Sequence, residues 1–114
     1  MITTKQKEFF KNLINKTKEG KVKWNLDIDN SFSCKFSAGS LFIKTAYSFQ
    51  FDMNIIKVFI NTNDKTKITI ASEHENNKSE SDYRELKLLH NAAANSYYKV
   101  DEILDNLMDE LNKK

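Results

Sequence analysis

From Val22 onward apolar side chains recur at every second position, and this alternation limits the fold more than any other feature of the chain. Val22, Trp24, Leu26 and Ile28 alternate with Lys21, Lys23, Asn25 and Asp27, which is the period of a half-buried strand. The turn pair Asp29-Asn30 stops the run. Phe32, Cys34 and Phe36 resume the phase as far as Ala38-Gly39-Ser40. Leu41, Ile43, Tyr47, Phe49 and Phe51 carry a long third strand, Ile56, Val58 and Ile60 a fourth, and Ile68 and Ile70 a fifth beyond residues 61–65. Connections this short permit only antiparallel neighbours, because a parallel pair needs a crossover of a dozen residues or more. The pattern predicts a five-stranded antiparallel meander with these seventeen apolar positions on one face.

Such a face needs a second layer, and one helix about 10 Å wide cannot cover five strands about 4.8 Å apart, whereas two can. The first runs from Thr3 to Glu19. Thr3 with Gln6 makes a capping box, and Phe9, Phe10, Leu13, Ile14 and Thr17 recur at helical spacing. Gly20 ends it at the C′ position, after Lys16 and Lys18 near the negative end of the dipole. The second helix is C-terminal. Ser79 with Asp82 offers a start, and Leu86, Leu89, Ala93, Tyr97, Val100, Leu104, Leu107 and Leu111 form one apolar stripe. A continuous helix from Ser81 to Lys113 would be about 50 Å long at roughly 1.5 Å per residue, more than short strands can cover. It therefore breaks near Lys99-Val100-Asp101, with Asp101 as N-cap, or its end projects towards another chain. The expected fold is one α+β domain over residues 1–114, with an N-terminal helix, a five-stranded antiparallel meander and a long C-terminal helix packed on the sheet.

Hydrophobic residues at 39% and charged residues at 30% describe a globular chain and not a disordered one. Cys34 has no partner for an internal disulfide, Met1 to Lys11 holds no apolar leader, and no window approaches the roughly 18 apolar residues of a membrane span. A reducing cytoplasm is the expected location. The net charge of +2 is too small to imply nucleic acid, but its distribution is uneven. Seven lysines between Met1 and Lys23 face only Glu8 and Glu19, whereas Asp101, Glu102, Asp105, Asp109 and Glu110 are accompanied by no base. The two ends are complementary, and helix pairing within the chain or across a dimer is one reading of that.

The sequences that resemble reactive motifs fail on spacing. "DIDNS", residues 27–31, alternates carboxylates as a phosphoryl-transfer loop does, yet no parallel doubly wound sheet can be built here; as a calcium loop it places Phe32 where glycine is needed and Ala38 where glutamate is needed. Turn chemistry accounts for it. "EHE", residues 73–75, reads as part of a solvated loop, and one cysteine with two histidines gives no zinc spacing. Cys34 lies on the inward pattern, where a thiol packs as a small hydrophobe. Two glycines cannot form a phosphate-cradling loop. "KTAYSFQF", residues 44–51, superficially follows an RNA-binding strand, but Thr45 and Ala46 break the motif, and Tyr47, Phe49 and Phe51 belong to the core phase. Trp24 is in register with the core as well. In "HNAAANSYYKV", residues 90–100, the alanines mark a close helix seam, His90 a boundary residue, Tyr97 a core residue and Tyr98 an exposed one. No catalytic residue, metal ligand or cofactor is assigned.

Phe42, Ile55 and Phe59 alternate out of phase with the core and should emerge together on the outer side of the third and fourth strands. They are either covered by the first helix or form an interaction strip. Around "FFKNLINKTKEGKVKW" and "KVDEILDNLMDEL" the chain resembles a loose set of small bacterial and phage-borne α+β proteins: a helix, Thr-x-x-Gly, a strand with Trp, a meander and a C-terminal helix. The resemblance implies a fold and carries no functional residue with it. The absence of proline and the use of lysine for every basic residue but Arg84 suit an AT-rich phage or mobile element.

The leading expectation is a non-enzymatic protein-interaction or inhibitor module, using Phe42, Ile55 and Phe59 on the sheet and Leu104, Leu107 and Leu111 on the helix. A homodimer through that helix is one form it takes. The alternative is a nucleic-acid or nucleotide binder contacting phosphates through Lys11, Lys18 and Lys23. A small enzyme around His90, Tyr83 or Tyr98 ranks last, since it would need a partner to complete its site.

Overall fold

The computed structural model describes residues 2–50, 52–74 and 80–114, and shows an α+β fold with one sheet and three helices. Helix α1 (Thr4–Lys18) starts at the expected capping box. The Gln6 N–H donates to Thr3 Oγ1 at 3.1 Å, and the Thr3 N–H donates to Gln6 Oε1 at 3.0 Å. It ends where Gly20 adopts φ 76°, so that the Lys21 N–H reaches the Lys16 carbonyl and the Gly20 N–H the Thr17 carbonyl, both at 3.0 Å. This is the Schellman pattern that glycine at C′ permits. The Thr-x-x-Gly…Trp spacing has a physical basis here. Buried Thr17 donates to the Leu13 carbonyl at 2.7 Å and accepts from the Trp24 indole N–H at 3.0 Å, so one hydroxyl joins the end of α1 to the start of the sheet.

Strands β1 (Asn25–Leu26), β2 (Phe32–Phe36), β3 (Gly39–Ser48), β4 (Met53–Thr62) and β5 (Lys67–His74) are hydrogen-bonded in chain order, each antiparallel to the next. Gly39 begins β3 because a Cβ there would lie 2.3 Å from the Asn61 carbonyl oxygen. Helix α2 (Glu80–Tyr98) lies across β5, β2 and β4, and α1 packs along α2. The core between the layers joins Phe10 and Leu13 of α1 and Leu86, Leu89 and Ala93 of α2 to Phe32, Leu41, Ile43, Ile56 and Val58 of the sheet. The Ala92-Ala93-Ala94 seam is as expected: Ala92 and Ala93 are buried and Ala94 packs against the core. At the chain start, the buried Asp82 carboxylate accepts the Ile2 N–H at 3.0 Å and meets Lys7 Nζ at 3.4 Å.

Several positions on the inward phase are not in the core. The first strand is only two residues long, and Ile28 is fully exposed, because the chain turns at once: the Asp27 N–H bonds the Ser31 carbonyl, and Asn30 takes φ 63°. Asp29 accepts from the Ser31 N–H and hydroxyl within this turn. Tyr47 and Phe49 are exposed, Phe49 by 90%, since the β3–β4 hairpin extends past the helix layer; their rings meet edge to face at 5.1 Å. Phe51 lies outside the described residues. Phe36 is also partly exposed, beside Phe9 at 6.2 Å, and Ile68 is half-exposed at the sheet's end. A register shift pairs Val58 with Ala71 but Phe59 with Thr69. Ile70 still packs against the core, but beyond the shift the inward positions of β5 become Ala71 and Glu73. Glu73 is fully buried in a strand, not solvated in a loop, and Glu75 and the expected helix start at Ser79 lie outside the described residues.

The long apolar stripe is divided. Lys99 adopts left-handed φ 54°, ψ 48° and is the N-cap of α3 (Val100–Asn112), placing Asp101 in the first turn and not at the cap. The helix both breaks and projects. No residue of α3 is buried, and the radius of gyration of 15.9 Å exceeds the roughly 13 Å of a compact domain near this length.

Candidate interaction surfaces

Both packed helices lie on one side of the sheet, and strand register sorts the side chains of the other. Directly opposed residues share a face. Phe42 opposes Phe59, Lys44 opposes Lys57, and Ala46 opposes Ile55, so the out-of-phase trio does emerge on the side away from the core. No described helix covers it. The Phe42 and Phe59 rings stack in parallel, with centroids 5.1 Å apart and 6° between planes, and Lys67 Nζ sits 4.3 Å from the Phe59 centroid. Phe59 is consequently only 7% exposed, while Phe42 and Ile55 are half-buried. The strip is narrower than the sequence suggests, because the two rings and a lysine cover one another.

The same register arranges lysines that the sequence reading did not single out. Across the outer face one row runs Lys35, Ser40, Asn61, Lys67, the next Ser33, Phe42, Phe59, Thr69, and the next Lys44, Lys57, Ser72. An aromatic row thus lies between two lysine rows, each about 7 Å away along the strands. These rows contain no carboxylate. Asp29 in the β1–β2 turn is held below the usual carboxylate range first by its hydrogen bonds from Ser31, and also by the field of Lys44. Once strands and hairpin turns are assigned, the off-phase lysines could have been found.

Helix α3 presents the second surface. Ile103, Leu104, Leu107, Met108 and Leu111 are 49 to 67% exposed. At about 100° per residue they fill one arc of roughly 140° with Val100, bordered on one edge by Asp101 and Asp105 and on the other by Glu110. Leu86, Leu89 and Ala93 in the first half of the stripe are core, whereas no described residue covers the second half.

The alternative phosphate-binding lysines fall in two places. Lys11 borders a groove with Ile14 and Arg84, whereas Lys18 and Lys23 line adjoining grooves that share Gly20, Ser96 and Lys99. Of their neighbours, Lys7 pairs with Asp82, and Lys16 and Lys21 pair with Glu19. His90 packs edge-on against Phe32 at 5.3 Å, and its burial lowers its pKa. Tyr97 and Tyr98 touch the same ring at 5.9 and 6.1 Å, and both are partly exposed, so Tyr97 is not the core residue expected. Tyr83 is buried in the core. Burial pushes the Cys34 thiol up to about 12. Among the described residues no group of three or more His, Cys, Asp or Glu is placed to hold a metal ion, and no helix is long and apolar enough to cross a membrane. No protein-family model, curated protein or solved structure matches the chain.

Proposed function

We propose that the protein is a non-enzymatic interaction module whose docking element is α3. One observation carries this: a thirteen-residue helix with five large apolar side chains aligned on one face buries none of them. A helix near this length is marginal in water without tertiary packing, so a partner that covers the stripe supplies what the described residues of the chain do not. The carboxylates along its edges favour a basic partner surface.

The test is the double substitution Leu104→Asp and Leu107→Asp, followed by sedimentation and thermal unfolding. The reading predicts loss of association with an unfolding midpoint that is unchanged in dilute protein, where association adds no stabilisation. A midpoint lowered as by a core substitution, or association left intact, would refute it. Phosphate binding by Lys11, Lys18 and Lys23 has weaker support, because Lys11 borders a groove apart from those of Lys18 and Lys23.

A further inference from the structure

We infer that the open face of the sheet is the seat for α3 of a second copy of this chain. This rests on the proposed role of α3 and names its partner. The first argument is complementarity. The sheet offers an apolar centre, half-buried Phe42 stacked on nearly buried Phe59, with Lys35 and Lys67 on one side and Lys44 and Lys57 on the other. Helix α3 offers an apolar arc with Asp101 and Asp105 on one edge and Glu110 on the other. Each surface has the charge sign the other lacks, arranged on both flanks of an apolar centre.

The second argument is the cost that the sheet face carries alone. Lys44 and Lys57 stand directly opposite each other on neighbouring strands, a placement that like charges disfavour and that Asp29 offsets only in part, at Lys44. Carboxylates delivered between the lysine rows relieve it. A polyanion such as single-stranded nucleic acid would relieve it too, but such ligands bind sheets by stacking bases on aromatic faces. Here Phe59 is nearly buried, with one contact to the Phe42 ring and another to Lys67. The rings are committed to each other and leave an apolar surface better suited to leucine side chains.

The experiment uses full chains and two charge reversals. One variant carries Lys44→Glu and Lys57→Glu on the sheet, the other Asp105→Lys and Glu110→Lys on α3. Circular dichroism and thermal unfolding establish that each folds, and sedimentation reports association. The wild-type chain is expected to self-associate, more weakly as salt rises, and each variant alone to lose association by about tenfold or more. Mixing the two variants restores association, since the unaltered α3 of the sheet variant then meets the unaltered sheet of the helix variant.

A wild-type chain that stays monomeric at high concentration would overturn the inference and leave α3 available to a different protein. Self-association that Leu107→Asp abolishes but Lys44→Glu with Lys57→Glu leaves intact would overturn it in favour of α3 pairing with α3. Self-association indifferent to Leu104→Asp and Leu107→Asp would remove the proposed role of α3 as well. Titration with a labelled oligothymidylate provides the remaining arm: binding by a monomer, lost in the Lys44→Glu, Lys57→Glu variant, would assign the face to a polyanion and overturn the inference.

Discussion

Leucine-to-alanine substitution along the C-terminal stripe should give two different answers from one sequence pattern. Leu86 and Leu89 are fully buried between α2 and the sheet, whereas Leu104 and Leu107 are half-exposed on α3. Truncating a buried leucine removes its transfer free energy and leaves a cavity, about 3–5 kcal/mol in a well-packed core. At roughly 4 °C per kcal/mol for a domain of this size, Leu86→Ala and Leu89→Ala should each lower Tm by about 12–20 °C. Leu104→Ala and Leu107→Ala break no intrachain packing, and alanine is the better helix former, so both should stay within about 0.5 kcal/mol of the parent. Fluorescence of the buried Trp24 reports the unfolding of the core. The comparison is made in dilute protein, since association adds a concentration-dependent stabilisation. If Leu104→Ala cost as much as Leu89→Ala under those conditions, α3 would be packed on the domain and the division of the stripe at Lys99 would be wrong.

Three further outcomes follow from buried groups. The Ile2 N–H first, and Lys7 second, hold the Asp82 carboxyl below its ordinary value, so its contribution is fully present above about pH 4 and is lost as pH falls through the lowered folded value. Asp82→Asn should therefore cost about 1–3 kcal/mol at neutral pH, with a gap to the parent that narrows in acid; a gap independent of pH would contradict this. Thr17→Val strands the Trp24 indole N–H and should cost about 1–3 kcal/mol by denaturant unfolding, with Thr17→Ser much milder; equal costs would show that the methyl group matters and the hydroxyl does not. With its thiol raised to about 12, Cys34 is thiolate in about one molecule in ten thousand at pH 8, so a disulfide reagent should modify it only after unfolding. Rapid stoichiometric modification of the native protein would contradict its burial.

The sheet was legible because period two identifies the inward face of each strand, and short turns left the meander as the only order. Periodicity cannot say how far the helix layer extends along that face. Tyr47 and Phe49 keep the phase of Leu41 and Ile43 but lie beyond the helices, and Ile28 keeps the phase of Trp24 but falls in a turn. The register shift between Val58 and Phe59 is likewise invisible to alternation, and it is what turns Glu73 inward. Of the interaction surfaces, Phe42, Ile55 and Phe59 were readable as residues out of phase, and Leu104, Leu107 and Leu111 as a stripe too long for its sheet. The lysine rows required cross-strand register, which brings together residues as distant in sequence as Lys35 and Lys67. The helix break lies at a lysine in a left-handed conformation, a position no breaker residue marks, and for this reason Asp101, a good capping residue, drew the boundary two residues late.

The most direct test of α3 as a docking element is photo-crosslinking from within its stripe. A photoreactive phenylalanine placed at Leu107, and as a control at exposed Lys87 on α2, is irradiated in intact cells that express the full chain. The account predicts a discrete adduct from position 107, to a second copy or to another protein, and none of comparable yield from position 87. Equal, diffuse labelling from both positions would mean that the stripe meets only solvent, and would contradict the account.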